Sequence, residues 1–175
     1  MDFVKELQQG KPNSLGNTLA VVKHVEANPG SFNKLLKLLL NEDSIVSMRA
    51  MNATKRILRA DSSYFAKCQD DLVFKYSKAK ASVVRLGLII LYFDFLSEYT
   101  DEQVKEIKKL ALRWTKDASD WMVLAQGLKL LEKLSKKDPA FVLKAIEIAK
   151  PLQKDPRKAV AGKAKKVVAT LSSRV

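Results

Sequence analysis

A pattern that recurs along this chain limits the folds open to it more than any single motif does. In Asn41 to Leu58 an acidic turn feeds a helical stretch in which Ile45, Val46, Ala50, Ala53 and Ile57 share one apolar stripe, with Ser44 placed to cap it. A shift of 38 residues lays Ser82, Val84, Leu88, Leu91 and Phe95 on Ser44, Val46, Ala50, Ala53 and Ile57. A further 37 lays Ser119, Trp121, Ala125 and Leu128 on the first four, and a last 37 reaches Pro156, Lys158, Gly162 and Lys165, where the pattern fades. A period of this size, with another apolar helix before each copy, is the signature of stacked helix pairs, each too small to bury its own apolar face.

Turn and capping signals divide the chain accordingly. Phe3, Val4 and Leu7 open a short helix that Pro12 ends, and Leu15, Leu19, Val22 and Val25 give a helix over 14–27, stopped at Asn28-Pro29-Gly30. Residues 32–40 are so nearly all apolar that neighbours are expected on both flanks. A helix over 63–75 is expected to set Tyr64, Phe65, Leu72 and Phe74 against Val83, Leu86, Ile90 and Phe93. Thr100 and Gln103 have capping-box spacing, and the helix they open turns Val104, Ile107, Leu110, Ala111 and Trp114 inward. Asp138-Pro139 and Asp155-Pro156 each set an acid before a proline and are expected to open the last two helices, 139–152 and 156–171. With sparse strand signals and 175 residues, the expectation is one all-α domain over 1–175, with pairs at about 1–28, 31–60, 62–97, 100–135 and 138–172.

The run Asp43-Ser44-Ile45-Val46-Ser47-Met48-Arg49-Ala50 resembles the turn and second-helix start of a HEAT repeat, and Ser82 to Arg85 and Asp117 to Ala125 are weaker copies. The resemblance covers about Ser14 to Leu171 and points to small bacterial HEAT-repeat proteins of unassigned function. It implies a right-handed α-solenoid of about five antiparallel pairs, in which each second helix lines a concave face. Arg49 is matched by Gly87 and Leu124, so the family's arginine ladder is incomplete here. HEAT arrays host many unrelated functions, and the resemblance specifies no activity.

Composition narrows the chemistry. His24, the only histidine, sits mid-helix with no cysteine or aspartate at helical spacing, so no nucleophilic triad is assembled around it. Cys68 has no second cysteine to pair with, and no Cys/His set has metal-ligand spacing; no metal and no cofactor is expected. The N-terminal residues do not read as a secretory signal, and the longest apolar run, Leu86 to Phe93, is too short to cross a bilayer. The expectation is a cytoplasmic monomer with no membrane contact.

Charge is the second informative feature, with 32 basic residues against 19 acidic. From Lys150 to Val175 eight basic residues face the single acid Asp155, more than half of the net excess of +13. Arg49, Asn52, Arg56 and Arg59 form a polar stripe about a quarter turn from the apolar one, and the HEAT resemblance points it into the groove. Together with Lys158, Lys163 and Lys166 these residues are the candidate binding surface, suited to an acidic protein or, alternatively, a nucleic-acid backbone. The bland alternative is a solvated lysine-rich face. Trp114, Asp117 and Trp121 loosely resemble sites of DNA-alkylation-repair glycosylases built from HEAT-like repeats, in which aromatic walls and an acid would hold a cationic nucleoside. Both tryptophans also lie at positions that the apolar stripes assign to the core, which is the simpler expectation for them.

Overall fold

The computed structural model describes residues 1–174, the Lys137 side chain excepted. Every regular element among them is helical. The α-helices are α1 (Phe3–Gln8), α2 (Thr18–Ala27), α3 (Phe32–Lys37), α4 (Ser44–Ala60), α5 (Ser82–Asp94), α6 (Asp101–Asp117), α7 (Trp121–Leu134), α8 (Pro139–Leu152) and α9 (Lys158–Ser172). No helix is long and apolar enough among the described residues to cross a membrane. The chain divides into two compact units, Met1–Gly87 and Leu88–Val175, and the boundary falls inside α5.

In the first unit α4 is the central element and packs against α1, α2 and α3. Its cap is Asp43 rather than Ser44. The Asp43 carboxylate accepts from the Ile45 amide at 2.8 Å and the Val46 amide at 3.4 Å, two of the donors that a helix start leaves without partners. The hydrogen bond from the Gln8 side chain, reinforced by these amides, holds the Asp43 pKa below the usual carboxylate value. The helix expected over 63–75 is replaced by a 3-10 turn at Ser62–Lys67, a π turn at Asp71–Lys75 and a second 3-10 turn at Tyr76–Lys78. Tyr64, Phe65, Cys68, Leu72, Val73 and Tyr76 still point inward, so the apolar period survives although the backbone pitch changes, while Phe74 is turned out.

Leu15 and Leu19 are also exposed, contrary to the stripe read for α2, which buries Thr18, Val21, Val22 and Val25 instead. Residues before Thr18 form a loop in which the Lys11 and Ser14 carbonyls accept from Arg49, and the helix begins later than expected.

The second unit contains two hairpins, α6 with α7 and α8 with α9, and α7 lies against α9 while α6 touches α8. The capping box at α6 is as expected, with the Thr100 amide donating to Gln103 Oε1 at 2.8 Å and the Gln103 amide to Thr100 Oγ1 at 3.3 Å. Asp138 caps α8, with Pro139 in the first turn. Asp155 does not open α9 in the expected way. Its carboxylate is taken by the amide and guanidinium of Arg157, and the helix starts at Lys158. Tyr92 and Trp114 stack at the centre of this unit, with ring centroids 6.2 Å apart and planes at 9°.

Burial corrects the repeat. Val46, Ala50, Ala53 and Ile57 of α4 are buried, and so are Val84, Leu88, Leu91 and Phe95 along and just past α5. The same holds for Val123, Gly127, Leu130 and Leu134 of α7 and for Val160, Ala164, Val167 and Leu171 of α9. Each set opens on a valine, at steps of 38, 39 and 37 residues. The 37-residue step read after α5 is therefore two short, and the pattern does not fade at α9. On α5 the repeat register stands as read, but its other face is corrected: Val83, Leu86 and Ile90 are only half-buried and Phe93 is exposed, although all four were expected in the core.

Candidate cationic groove on the fourth helix

The expected stripe on α4 does not act as one surface. Arg49 is fully buried, and all five of its N–H donors are satisfied. Nε donates to the Ser14 carbonyl at 3.0 Å, Nη1 to the carbonyls of Leu7 at 2.6 Å and Gln9 at 2.7 Å, and Nη2 to the Lys11 carbonyl at 2.5 Å and Ser14 Oγ at 3.4 Å. The loop that supplies these oxygens turns through Gly10 and Gly16, whose φ angles of 84° and 51° are strained for residues with a side chain. A Cβ at Gly16 would also run into the Arg49 guanidinium. Arg49 therefore gathers the N-terminal loop and presents no charge to solvent; its place in the binding surface is corrected to a place in the core.

The rest of the stripe faces a groove of about 570 Å³ whose walls include Asn52, Lys55, Arg56 and Arg59 of α4 and Leu19 and Glu26 of α2. Arg56 and Arg59 are exposed, while Asn52 and Lys55 are half-buried. Asn52 Oδ1 accepts from Arg56 Nε at 2.8 Å, one helical turn away, and so orients the guanidinium along the groove. Three cations stand against one acid, and Leu19, 51% exposed, supplies an apolar wall. Such a site can accept a carboxylate through paired guanidinium N–H donors while covering a neighbouring apolar side chain. The sequence missed Leu19 and Glu26 because Leu19 had been assigned to the core; the alternative spacing Thr18, Val21, Val22, Val25 was the signal that would have freed it.

The C-terminal cations are arranged differently. Lys158 and Lys166 are exposed and Lys163 is half-buried. On a helix of this pitch they spread over the outer half of α9, so they do not converge on one point. Arg157, just before α9, is committed to Asp155 and to the Ser119 carbonyl at 2.7 Å. That guanidinium pulls the Asp155 pKa down to about 2.

The tryptophans part company. Trp114 is 4% exposed and lies flat against Tyr92, so it cannot wall a ligand site. Trp121 is 48% exposed, against the expectation of a core residue, because it precedes the buried valine position by two residues; Asp117 is exposed as well. His24 is half-buried with its ring edge-on to Phe3 at 5.6 Å. Burial pushes the Cys68 thiol up to about 12, which keeps it protonated and unreactive near neutral pH. Among the described residues no group of three or more His, Cys, Asp or Glu side chains could hold a metal ion. No protein-family model, curated protein or solved structure matches the chain.

Proposed function

We propose that this protein is a non-catalytic binding module of HEAT-like helix pairs that docks an acidic protein segment in the groove between α2 and α4. The observation that carries this reading is the convergence of Lys55, Arg56 and Arg59 beside the exposed Leu19, with Arg56 held in place by Asn52. The recurring valines at positions 46, 84, 123 and 160 support the repeat reading. Glu26 interrupts the positive lining and no aromatic ring lines the groove, which favours separate carboxylates over a continuous phosphate backbone with stacked bases. The buried thiol of Cys68 suits a reducing cytoplasmic setting, and the module acts as a monomer.

The test is the double variant Arg56→Glu/Arg59→Glu, with Arg49 left intact because its removal would disturb the core. Binding of a fluorescent glutamate-rich peptide is expected to weaken by about tenfold or more, with unchanged helical circular dichroism, as charge reversal at a cationic site turns attraction into repulsion. Equal affinity in the variant would refute the groove. Tighter binding of duplex DNA than of peptide, sensitive to the same substitutions, would favour the nucleic-acid alternative instead.

A further inference from the structure

We propose that the second unit carries its own docking subsite for an acidic peptide segment bearing an apolar side chain, built from Lys129 and Lys133 of α7 and Lys136 in the 3-10 turn at Ser135–Lys137 that follows it, beside Phe93. The subsite stands on side chains of the second unit alone and shares with the proposed function only its class of ligand.

The observation behind it is the corrected repeat. Measured from the buried valines, Lys129 and Lys133 on α7 and Lys136 in the 3-10 turn after it stand at the sequence positions that Asn52, Arg56 and Arg59 occupy on α4, each 77 residues further on. The cationic line of α4 therefore recurs, although the uncorrected register hides it. The spacing of four puts Lys129 and Lys133 on one face of α7, and Lys136 in the turn beyond joins them in lining a cleft of about 190 Å³ with Glu132 and Phe93. That volume is below the range of drug-sized ligand pockets and suits a single side chain.

The geometry selects among anionic ligands. Lys133 Nζ lies 4.4 Å from the centroid of the Phe93 ring and also donates to the Phe93 carbonyl, so it is anchored and covers a face of the ring. A nucleic-acid base cannot stack on that covered face, yet Phe93 is 37% exposed and leaves apolar area for an aliphatic side chain. Glu132 stands among the lysines and would repel the evenly spaced charges of a phosphate backbone, while carboxylates set apart along a peptide can avoid it. The occupant that fits is a peptide with carboxylates for Lys129 and Lys136 and a leucine-like side chain for Phe93.

The full chain is titrated into a fluorescein-labelled peptide of repeated Glu-Glu-Leu, read by fluorescence anisotropy at low salt. Lys129→Ser/Lys136→Ser removes two charges and leaves the anchored Lys133, and is expected to weaken binding about fivefold, in line with two solvent-exposed ion pairs. Arg56→Ser/Arg59→Ser is measured in parallel and reports on the first-unit groove. Weakening by the lysine variant supports the second subsite whether or not the arginine variant weakens binding, and in the latter case the α4 groove falls while the α7 subsite stands. Weakening by the arginine variant alone, or no saturable binding, overturns the second subsite. A Glu-Glu-Ser peptide is expected to bind the wild type more weakly than the leucine peptide and to lose that difference in Phe93→Ala; a difference that persists overturns the role of Phe93.

Discussion

The two units reach order by different means. In the first, a buried guanidinium collects four backbone carbonyls and a hydroxyl from residues 7–14, and the polypeptide from 62 to 78 is a series of short 3-10 and π turns. In the second, two regular hairpins close over an apolar and aromatic interior, and the polar ties sit near the surface: Lys108 to Asp138 at 2.6 Å and Arg157 to Asp155 at 2.7 Å. The difference is one of cooperativity. A buried ion with five partners is either fully solvated by the protein or costly, whereas part-exposed pairs lose little when water replaces a partner.

The largest expected effect follows from that contrast. Arg49→Met should destabilise the first unit by about 3–5 kcal/mol, since it takes the guanidinium away from the carbonyls of Leu7, Gln9, Lys11 and Ser14, of which the Lys11 oxygen keeps the Ser14 amide and hydroxyl as donors. Arg49→Lys should recover part of this at most, because an ammonium has three donors where five are used. Cys68 is the chain's only cysteine and lies in the first unit, so thiol labelling at neutral pH reads opening of that unit alone. The native thiol should resist the reagent, and Arg49→Met should expose it at denaturant concentrations where the wild type is still protected. Equal protection in both would place the strength of the first unit elsewhere.

In the second unit the tight point is apolar. The Thr115 side chain fills the space where Gly127 lacks a side chain, and its Oγ1 is buried with no hydrogen-bond partner among the described residues. Gly127→Ala should cost about 1–3 kcal/mol through overpacking, outweighing the better helix propensity of alanine. The same substitution in a Thr115→Ala background should be close to neutral relative to that background, by urea unfolding. Thr115→Val keeps the shape and removes the stranded hydroxyl, and should raise stability by up to about 1 kcal/mol.

Acid gives the smallest and most distributed effect. The pKa values of Asp43, Asp138 and Asp155 are lowered in the folded chain, chiefly by hydrogen bonds from Gln8, Lys108 and Arg157 respectively. A depressed carboxylate pKa contributes stability that is present above the unfolded value near 3.9 and is lost as pH falls through the folded value, about 2 for Asp155. Thermal midpoints should decline between about pH 4 and pH 2, and Asp155→Asn should flatten part of that decline. An identical acid profile in the variant would contradict the assignment.

Much of this was legible in the sequence where short-range chemistry decides. The Thr100–Gln103 capping box and the Asp138-Pro139 start depend on residues within a turn of one another, and both stand as read. Arg49 was not legible, because helical spacing puts it in line with Asn52, Arg56 and Arg59, while its fate is set by carbonyls 35 to 42 residues earlier. Trp121 was misplaced for a simpler reason. Apolar side chains at 121 and 123 both fit a stripe, and only the spacing of valines and of the capping acids Asp43 and Asp120, 77 residues apart, separates the two registers. The same two-residue difference concealed the lysines along and just past α7.

The most direct measurement is a titration of the isotopically labelled chain with the glutamate-rich peptide, followed by its backbone amide spectrum at low and high salt. The expected result is a set of saturable shifts confined to residues 19–26, 52–60, 93 and 129–136 that recede as salt screens the charges. Shifts centred on α9, on Trp121 and its neighbours, or nowhere would contradict the cationic faces of α4 and α7 as the binding surfaces.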